Sequence, residues 1–340
     1  MLGVMQNYYS NPEIDDREVT DLFLSQYVFP TIQFAHDTGL LATLQRGPDS
    51  ACELAGELSL TCKGTIAVCR VLEGCGILHS TEGSYTLSTM GEVYFRMGSD
   101  FSWLPVFELP QRGSRVLQMK RSIVIDGNTS SNLSCHWSAG REPLTDDFHK
   151  AMSSMSKYSA HRFANDGLYG SPETILEIGC GVGTYTGELL KYYRNATGTL
   201  VDLERVTELA QSHLTELGLI DRAHIIAGNM HEISWPVGFD MVLLANVLHD
   251  WDYCSRLKLL SKAKDSLKRD GTLFIVEPLF DTETQSPLST AIWSLVMACS
   301  TDGEYLTFAD LAGALNTVGF LEPSLLSVAG YHSLIMAKGK

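Results

Sequence analysis

Short apolar runs alternate with amphipathic helical segments from Pro172 to the end of the 340-residue chain. The apolar runs predict seven strands, at Thr174–Ile178, Gly198–Val201, His224–Ala227, Asp240–Ala245, Thr272–Glu277, Leu325–Val328 and Ser333–Ala337. An apolar stripe from Val206 to Leu217 predicts a helix between the second and third strands. This alternation is typical of an α/β fold with a doubly wound sheet. Because such sheets bind ligands beyond the carboxyl ends of their strands, polar residues there are candidates for a functional site.

The first 105 residues follow a helical pattern with one short hairpin. Ser50 and Glu53 have the spacing of a capping box, which predicts the start of a short helix. A second helix, with apolar residues at helical spacing from Val68 to Cys75, is expected to stop at Gly76. Two short runs on either side of Gly83 predict a hairpin. Two helices followed by a hairpin predict a winged-helix unit.

A winged helix either binds DNA or supports self-association, and the charge favours self-association. Residues 1–100 hold 13 acidic and five basic side chains, a balance of −8, and the whole chain carries −15. This charge repels a nucleic acid. The apolar stretch from Leu22 to Leu44, interrupted at Pro30, is either a candidate interface or a core helix with a proline kink. We therefore expect a homodimer without a nucleic-acid partner.

The middle of the chain, residues 106–165, is predicted to connect the amino-terminal unit to a carboxyl-terminal domain over residues 166–340. Gly127–Leu144 is rich in Ser, Asn, Gly and Pro, which predicts a polar loop. The positions that follow, Phe148, Met152 and Met155, have helical spacing and present an apolar face.

The composition bears on location and on the state of the cysteines. We find no run of 18 apolar residues and no basic-then-apolar leader, so we expect no membrane span and no secretory signal, and we predict a cytoplasmic location.

The eight cysteines include no C-x-x-C pair. Buried free thiols are therefore expected, rather than disulfide bonds or a metal site.

A glycine-rich segment joins the first predicted strand to the helix that follows it. Gly179, Gly181 and Gly183 are spaced two apart, where a tight turn at a binding site needs positive φ and close backbone approach. Asp202 ends the second strand, about 20 residues further on, where such folds place an acid for ribose hydroxyls. A dinucleotide site needs G-x-G-x-x-G. G-x-G-x-G preceded by an acid, here Glu177, instead resembles motif I of class I S-adenosylmethionine (SAM) methyltransferases.

His249 follows the fourth predicted strand, so we expect it at the rim of the cofactor site, next to Asp250. A neutral imidazole can take the proton of a hydroxyl whose pKa is about 10 when a positive sulfonium stands opposite the developing oxyanion. His249 is therefore a candidate general base, with a core or capping histidine as the alternative.

Several further segments carry a resemblance that covers most of the chain. They are Val247–Trp251, Lys268–Glu277, Thr301–Phe308 and Gly319–Phe320, preceded by Gly39–Leu41, Gly47–Pro48, Leu54–Ala55, Arg70–Leu72, Tyr85–Leu87 and Phe148–Met152. Their order and spacing are similar to those of the plant-type small-molecule O-methyltransferases, which include acetylserotonin and caffeate methyltransferases. The resemblance implies a Rossmann-like, seven-stranded class I methyltransferase domain, SAM as cofactor without a metal, and a winged-helix amino domain that forms an intertwined dimer.

The resemblance also implies roles for individual residues. His249 is then the general base, and Glu277 is one of two carboxylates beside it. Tyr305 stands where the family has the second carboxylate, with Glu304 one residue away, so His249 is expected to lack one acidic partner. Asn229 replaces the family's aspartate near the adenine and keeps a hydrogen-bonding group there. The implied catalytic residues are His249, Glu277 and Tyr305, and the implied cofactor-binding residues are Glu177, Gly179, Gly181, Gly183, Asp202, Leu203, Asn229 and Met230.

Apolar and thioether side chains are expected to line the acceptor pocket, with a place in the core as the alternative for each. They are Phe148, Met152, Met155, Trp293, Val296 and Met297. Such a pocket suits an aromatic acceptor because thioethers adapt to ring edges. The sequence thus predicts a SAM-dependent O-methyltransferase that acts on a hydroxyl of a phenolic small molecule in secondary metabolism.

Three other functions stay open. In a C-methyltransferase, His249 would generate a phenolate or enolate so that carbon attacks the methyl group. A cyclase or decarboxylase that retains SAM would bind the cofactor without consuming it, and Tyr305 in place of a carboxylate favours this possibility. A winged-helix regulator is the third, and the acidic amino-terminal unit opposes it.

Overall fold

The computed structural model describes residues 15–99, 133–141, 146–280 and 288–339, together with positions 102, 104, 119, 123 and 144. Its amino-terminal elements are α1 (Arg17–Leu24), α2 (Val28–Asp37), α3 (Leu40–Leu44), β1 (Asp49–Ser50), α4 (Ala51–Leu58), α5 (Cys62–Gly74), β2 (Leu78–Thr81) and β3 (Ser84–Leu87). Two helices, α6 (Leu133–Ser138) and α7 (Asp146–Asn165), lead to the second half. There follow β4 (Thr174–Ile178), α8 (Thr184–Tyr192), β5 (Thr197–Asp202), α9 (Glu204–Glu216), β6 (Ala223–Ala227), β7 (Phe239–Ala245), α10 (Tyr253–Ser266), β8 (Leu267–Pro278), α11 (Leu288–Ser300), α12 (Phe308–Thr317), β9 (Leu321–Ala329) and β10 (His332–Lys338).

A seven-stranded sheet dominates the carboxyl-terminal half, with the strand order β6-β5-β4-β7-β8-β10-β9. The first five strands in this order are parallel, and β10 runs antiparallel to both of its neighbours. The order reverses between β4 and β7, which opens a crevice at their carboxyl ends. All seven predicted strands are present, and the predicted α/β fold class is confirmed.

The strand bounds differ most for β8, which begins at Leu267 rather than Thr272, and for β9, which begins at Leu321 rather than Leu325. Exposed polar residues such as Lys268 and Glu322 lie in these extensions. The apolar pattern misses them because a strand can continue its backbone ladder past the last buried side chain.

Three hydrophobic cores hold the elements together. One core lies on each face of the large sheet, built around strand residues such as Leu243 on one face and Val242 on the other. The third joins the amino-terminal helices to α11, whose Ile292 and Leu295 pack with residues of α5. The helix α11 therefore shares its core with the amino-terminal elements, although the sequence places it among the strands of the carboxyl-terminal half.

The predicted local features of the amino-terminal half are confirmed. Ser50 and Glu53 form a complete capping box at the start of α4. The helix α5 ends at Gly74, and Gly76 takes the left-handed conformation with φ of 74°. The strands β2 and β3 form the expected hairpin around Gly83, and β1 adds a third strand to it.

The stretch from Leu22 to Leu44 is divided among α1, a 3₁₀ turn (Ser25–Tyr27), α2 and α3, and Pro30 lies in the first turn of α2, directly after the 3₁₀ turn. One expectation about the cysteines was wrong. Cys52 and Cys62 are not free thiols but form a disulfide, because the turn between α4 and α5 brings their Cα atoms to 4.7 Å. The other six cysteines form no disulfide within the described part of the chain.

Part of the predicted polar loop is helical. The segment 127–132 lies outside the described residues, but Leu133–Ser138 forms α6, whose Trp137 ring packs 6.4 Å from that of Trp251. Long-range packing of this kind gives helical structure to a segment whose composition predicts a loop. No helix among the described residues is long and apolar enough to cross a membrane.

Candidate active site

A cavity of about 310 Å³ opens at the carboxyl ends of β4, β5 and β7. All six predicted acceptor contacts line it: Phe148, Met152, Met155, Trp293, Val296 and Met297. So do seven predicted cofactor residues: Glu177, Gly179, Gly181, Asp202, Leu203, Asn229 and Met230. Gly183 is not among the lining residues, because it caps the start of α8 behind the turn. His249 and Tyr305 face the cavity, and Glu277 lies next to His249 on a small adjoining one.

The glycine-rich turn between β4 and α8 leaves room for a ligand. Gly179, Gly181 and Gly183 have φ of 67°, 55° and 78°, a conformation that other residues rarely adopt. A Cβ at Gly179 would lie 2.7 Å from a methyl group of Val247, so packing also requires this glycine. At Gly181, no atom of the described residues other than its chain neighbours lies within 4 Å of such a Cβ. The backbone at Gly181 is therefore open to a molecule in the cavity.

Asp202 closes the cofactor side of the cavity at the end of β5. Its Oδ2 accepts from the Gly181 N–H at 2.8 Å and its Oδ1 from the Leu203 N–H at 2.7 Å. These bonds fix the carboxylate against the glycine turn. A carboxylate accepts hydrogen bonds at both oxygens, which is the chemistry that the hydroxyls of a ribose require. The residues present thus fit a nucleoside cofactor.

Glu177, on β4, stabilises the glycine-rich turn by binding the start of α8. It is buried, and its Oε2 accepts from the backbone N–H of Thr186 at 3.1 Å and from the Thr186 hydroxyl at 2.5 Å. Burial raises the pKa of Glu177 to about 7, although the bonds from Thr186 oppose the shift. Glu177 therefore ties the end of β4 to the first turn of α8.

The loop after β6 carries Asn229 and Met230. The Asn229 amide donates to the Ser138 carbonyl at 2.8 Å and accepts from the His231 N–H at 3.0 Å. Both ends of the amide thus fix the loop, and a second lone pair on its oxygen stays available. Lys262, which sequence reasoning missed, donates to the Met230 carbonyl at 2.8 Å and holds the loop from α10.

His249 and Glu277 form the chemical centre of the cavity. His249 lies in a single 3₁₀ turn after β7, and its Nδ1 is 2.5 Å from Oε2 of Glu277, the penultimate residue of β8. The other oxygen of Glu277 accepts from the backbone N–H groups of Val247 and Leu248 at 3.0 and 2.8 Å. A carboxylate can only accept, so Nδ1 carries a proton, and in the neutral form of the imidazole Nε2 keeps its lone pair.

Asp250 is a second carboxylate beside His249, in addition to Glu277, whereas Tyr305 occupies the position at which the family has an acid. Its Oδ1 lies 3.7 Å from Nε2 of His249. Burial alone lowers the pKa of an imidazole, but the Glu277 and Asp250 carboxylates outweigh it and raise the pKa of His249 to about 9. Burial raises the pKa of Asp250 to about 6, although the positive imidazolium beside it opposes the shift. The second carboxylate thus comes from the residue next to the histidine in sequence.

Tyr305 faces the same histidine from the segment after α11. The two rings lie 4.8 Å apart at 54°, and burial raises the pKa of Tyr305 well above its ordinary value. Glu304 instead points away and pairs with Arg256 at 3.3 Å. The close approach is possible because residue 303 is glycine: a Cβ there would clash with the His249 carbonyl oxygen.

The helix α6 links the two segments that carry His249 and Tyr305. The Ser134 hydroxyl donates to the Asp250 carbonyl at 2.8 Å and accepts from the Asp302 N–H at 2.9 Å. Sequence reasoning missed Ser134 because its two partners lie more than 100 positions away, at separations of 116 and 168.

Sequence reasoning also missed a group of residues on the far wall of the cavity. His332 and Tyr331 reach it from the turn between β9 and β10, and Asp16 and Thr20 reach it from the amino-terminal end. The Tyr331 hydroxyl donates to Asp21 at 2.6 Å and so ties α1 to this turn. The alternation of residues along a strand predicts which face of β10 His332 occupies, but it does not predict which residues pack against that face.

Among the described residues, no group of three or more His, Cys, Asp or Glu side chains could hold a metal ion.

The strand order, the glycine-rich turn and the acid at the end of β5 are those of the class I methyltransferase fold. The chain belongs to the O-methyltransferase domain family, whose model matches residues 134–321, more than half of its length.

Individual relatives agree with this family. The 3-hydroxy-5-methyl-1-naphthoate 3-O-methyltransferase of Streptomyces sahachiroi is 26% identical over 89% of this chain and 89% of its own length. The acetylserotonin O-methyltransferase of Bos taurus is 26% identical over 48% of this chain and 47% of its own length. An O-methyltransferase family 2 protein from Planctomyces limnophilus, crystallised with apigenin, has a TM-score of 0.83 at 22% identity, covering 97% of this chain and 98% of that one. The resemblance to acetylserotonin-type methyltransferases is confirmed.

Proposed function

We propose that the protein transfers a methyl group from SAM to a hydroxyl of an aromatic small molecule, with His249 as general base. The observation that carries the proposal is the pairing of Nδ1 of His249 with Glu277 at 2.5 Å in a cavity walled by aromatic and thioether side chains. The relatives support the substrate class, since one is named for a hydroxynaphthoate and another structure holds apigenin.

The residues of the chain divide the work of the reaction. When bound, SAM supplies an electrophilic methyl group on a sulfonium cation. Gly179, Gly181 and Asp202 hold the nucleoside, and the apolar wall holds the acceptor ring. Keeping the two groups at reacting distance can lower the barrier by about 7–11 kcal/mol. Nε2 of the neutral His249 would take the hydroxyl proton as the acceptor oxygen gains the methyl group and S-adenosylhomocysteine leaves, and Glu277 would stabilise the resulting imidazolium.

The decisive experiment supplies the protein with SAM and a panel of phenols, catechols, hydroxyindoles and hydroxyquinones. The assay follows both S-adenosylhomocysteine and the position of the new methyl group. We expect S-adenosylhomocysteine and an O-methyl product. A methyl group on carbon would make the protein a C-methyltransferase, and conversion of an acceptor with SAM intact would make it a cyclase or decarboxylase.

The cofactor assignment yields a prediction for Asp202. We expect Asp202→Ala to weaken SAM binding at least about tenfold, because it removes the acceptors for the ribose and releases the turn at Gly181. Calorimetry measures the affinity. The exposed Asp221, changed to alanine, serves as the control and is expected to bind SAM normally. Equal affinity for the Asp202 variant and the wild type would contradict the assignment.

We also infer that the protein is a homodimer that associates through its amino-terminal elements. Three apolar side chains on α1 are exposed, with Val19 at 70%, Leu22 at 77% and Phe23 at 47%. A stripe of this kind on one helix is typical of an interface. We expect light scattering at micromolar concentration to give a dimer mass for the wild type and for the control Met97→Glu, and a monomer mass for Leu22→Glu. A monomeric wild type would exclude the homodimer.

The domain limits at residues 105 and 165, the absence of a nucleic-acid partner and the cytoplasmic location stay predictions from the sequence. Limited proteolysis tests the limits, since exposed linkers are the preferred cleavage sites. Tight binding of duplex DNA at physiological salt would restore the regulator as a candidate function.

A further inference from the structure

His332 is the first residue of β10 and reaches the cavity from the side opposite the glycine turn. Its backbone pairs with Pro278 of β8 and with Ala329 of β9, so its place in the sheet is fixed from both sides. His332 is among the residues that line the cavity. Its backbone is therefore fixed at the wall of the cavity that a bound acceptor would enter.

The imidazole of His332 has no hydrogen-bond partner within the part of the chain that the structure describes. Its Nδ1 is buried without one. Glu277, the carboxylate whose charge acts on His332, already accepts from Val247, Leu248 and the His249 imidazole. Leaving a buried polar group unpaired destabilises a fold, so such a group in a cavity often marks the place of a ligand atom.

The protonation state of His332 limits the chemical groups that it can bind. Burial lowers the pKa of His332 to about 4, and the positive His249 acts in the same direction while Glu277 opposes it. The ring is therefore neutral at physiological pH. A neutral imidazole offers one N–H donor and one acceptor, which suits an uncharged hydroxyl or carbonyl.

We propose that His332 is a substrate-binding residue that hydrogen-bonds a second polar group of the acceptor, a hydroxyl or carbonyl remote from the hydroxyl that is methylated. The proposal rests on the proposed function and adds the substrate class: aromatic acceptors with two separated polar groups. The apolar wall then holds the aromatic ring of the acceptor, and His332 binds the remote polar group. The hydroxyl that is methylated therefore faces His249.

The test compares 2-naphthol with 2,6- and 2,7-dihydroxynaphthalene, which differ only in the remote hydroxyl. Binding is measured by calorimetry in the presence of S-adenosylhomocysteine, so no turnover is required, and kcat and KM are then measured with SAM. We expect wild type to bind one of the diols about tenfold more tightly than 2-naphthol, as one hydrogen bond would give. We expect His332→Leu to bind the diol and 2-naphthol within about twofold of each other, and His332→Gln to regain part of the preference.

The exposed His224, changed to leucine, is the matched control and is expected to keep the preference. A preference that survives in His332→Leu, or no preference or no binding in wild type, would overturn the proposal. A fall in kcat for 2-naphthol in His332→Leu, together with a shifted pH profile, would make His332 a positioning residue for His249 instead. A preference in binding without methylation of any naphthol would uphold the role of His332 and count against the proposed function alone.

Discussion

Replacing His249 with alanine is expected to lower kcat by about 10²–10⁴-fold, the range for removing a general base. The affinity for SAM should change little, because the residues assigned to the nucleoside lie on β4, β5 and the loop after β6. Single-turnover kinetics with a good acceptor measures the first effect, and calorimetry measures the second. A rate in the His249→Ala variant equal to that of the wild type would show that another group accepts the proton.

A control is needed because His249 is buried and its loss leaves a space. The thermal unfolding midpoint of the variant should be compared with that of the wild type, and the exposed His224→Ala should behave as the wild type in every assay. A His249→Ala protein that binds SAM and unfolds cooperatively, yet turns over slowly, would assign the loss to chemistry rather than to folding.

Changing Glu277 to glutamine is expected to cause a loss of about 10²-fold or more in kcat, although the side chain keeps its shape. The glutamine oxygen can still accept from the N–H groups of Val247 and Leu248, but its NH₂ then faces Nδ1 of His249. A donor at that position favours the tautomer with its proton on Nε2, which removes the base from the side of the acceptor. Kinetics on Glu277→Gln and the His249→Ala, Glu277→Gln double variant measure this. Additive losses would contradict a shared role.

The pH dependence of kcat/KM is a separate test of the interaction between His249 and Glu277. The base acts when it is unprotonated, and its pKa is raised to about 9 with the two carboxylates beside it. For the wild type, kcat/KM should therefore rise with pH towards about 9 and then level off. Removing the Glu277 charge lowers the pKa of His249, so the residual activity of Glu277→Gln should level off at lower pH. An unchanged profile would show that Glu277 does not control the protonation of His249.

The strands and the glycine turn were predictable because their signals are local. An apolar run bounded by turn residues reports a buried strand from a few neighbouring positions, and β4 was found with both ends correct. The cofactor side of the cavity follows from the same logic, since Gly181 and Asp202 each stand at the carboxyl end of a parallel strand. Because β4 and β5 are neighbours in the sheet, Gly181 and Asp202 lie close together at the same edge.

The features that the sequence did not reveal depend on contacts between distant segments. The helix α6 forms in a polar segment because Trp137 packs on Trp251. Asp250 is recognisable in the sequence as the neighbour of His249, but only the backbone path of the 3₁₀ turn places its carboxylate 3.7 Å from Nε2. His332 stands 83 residues after His249 in the chain. No spacing rule connects such positions, because the turn between β9 and β10 and the length of both strands decide where the ring lies.

The shared core of α11 and the amino-terminal helices bears on how acceptor preference can be exchanged between relatives. Trp293, Val296 and Met297 line the cavity, and α11 also packs on α5. A chimaera cut once between the two halves would pair one parent's α5 with the other parent's α11 and leave their interface mismatched. Exchange of the part of the acceptor wall that α11 provides therefore requires residues 15–99 and 288–305 to be grafted together, while the nucleoside-binding strands stay with the recipient.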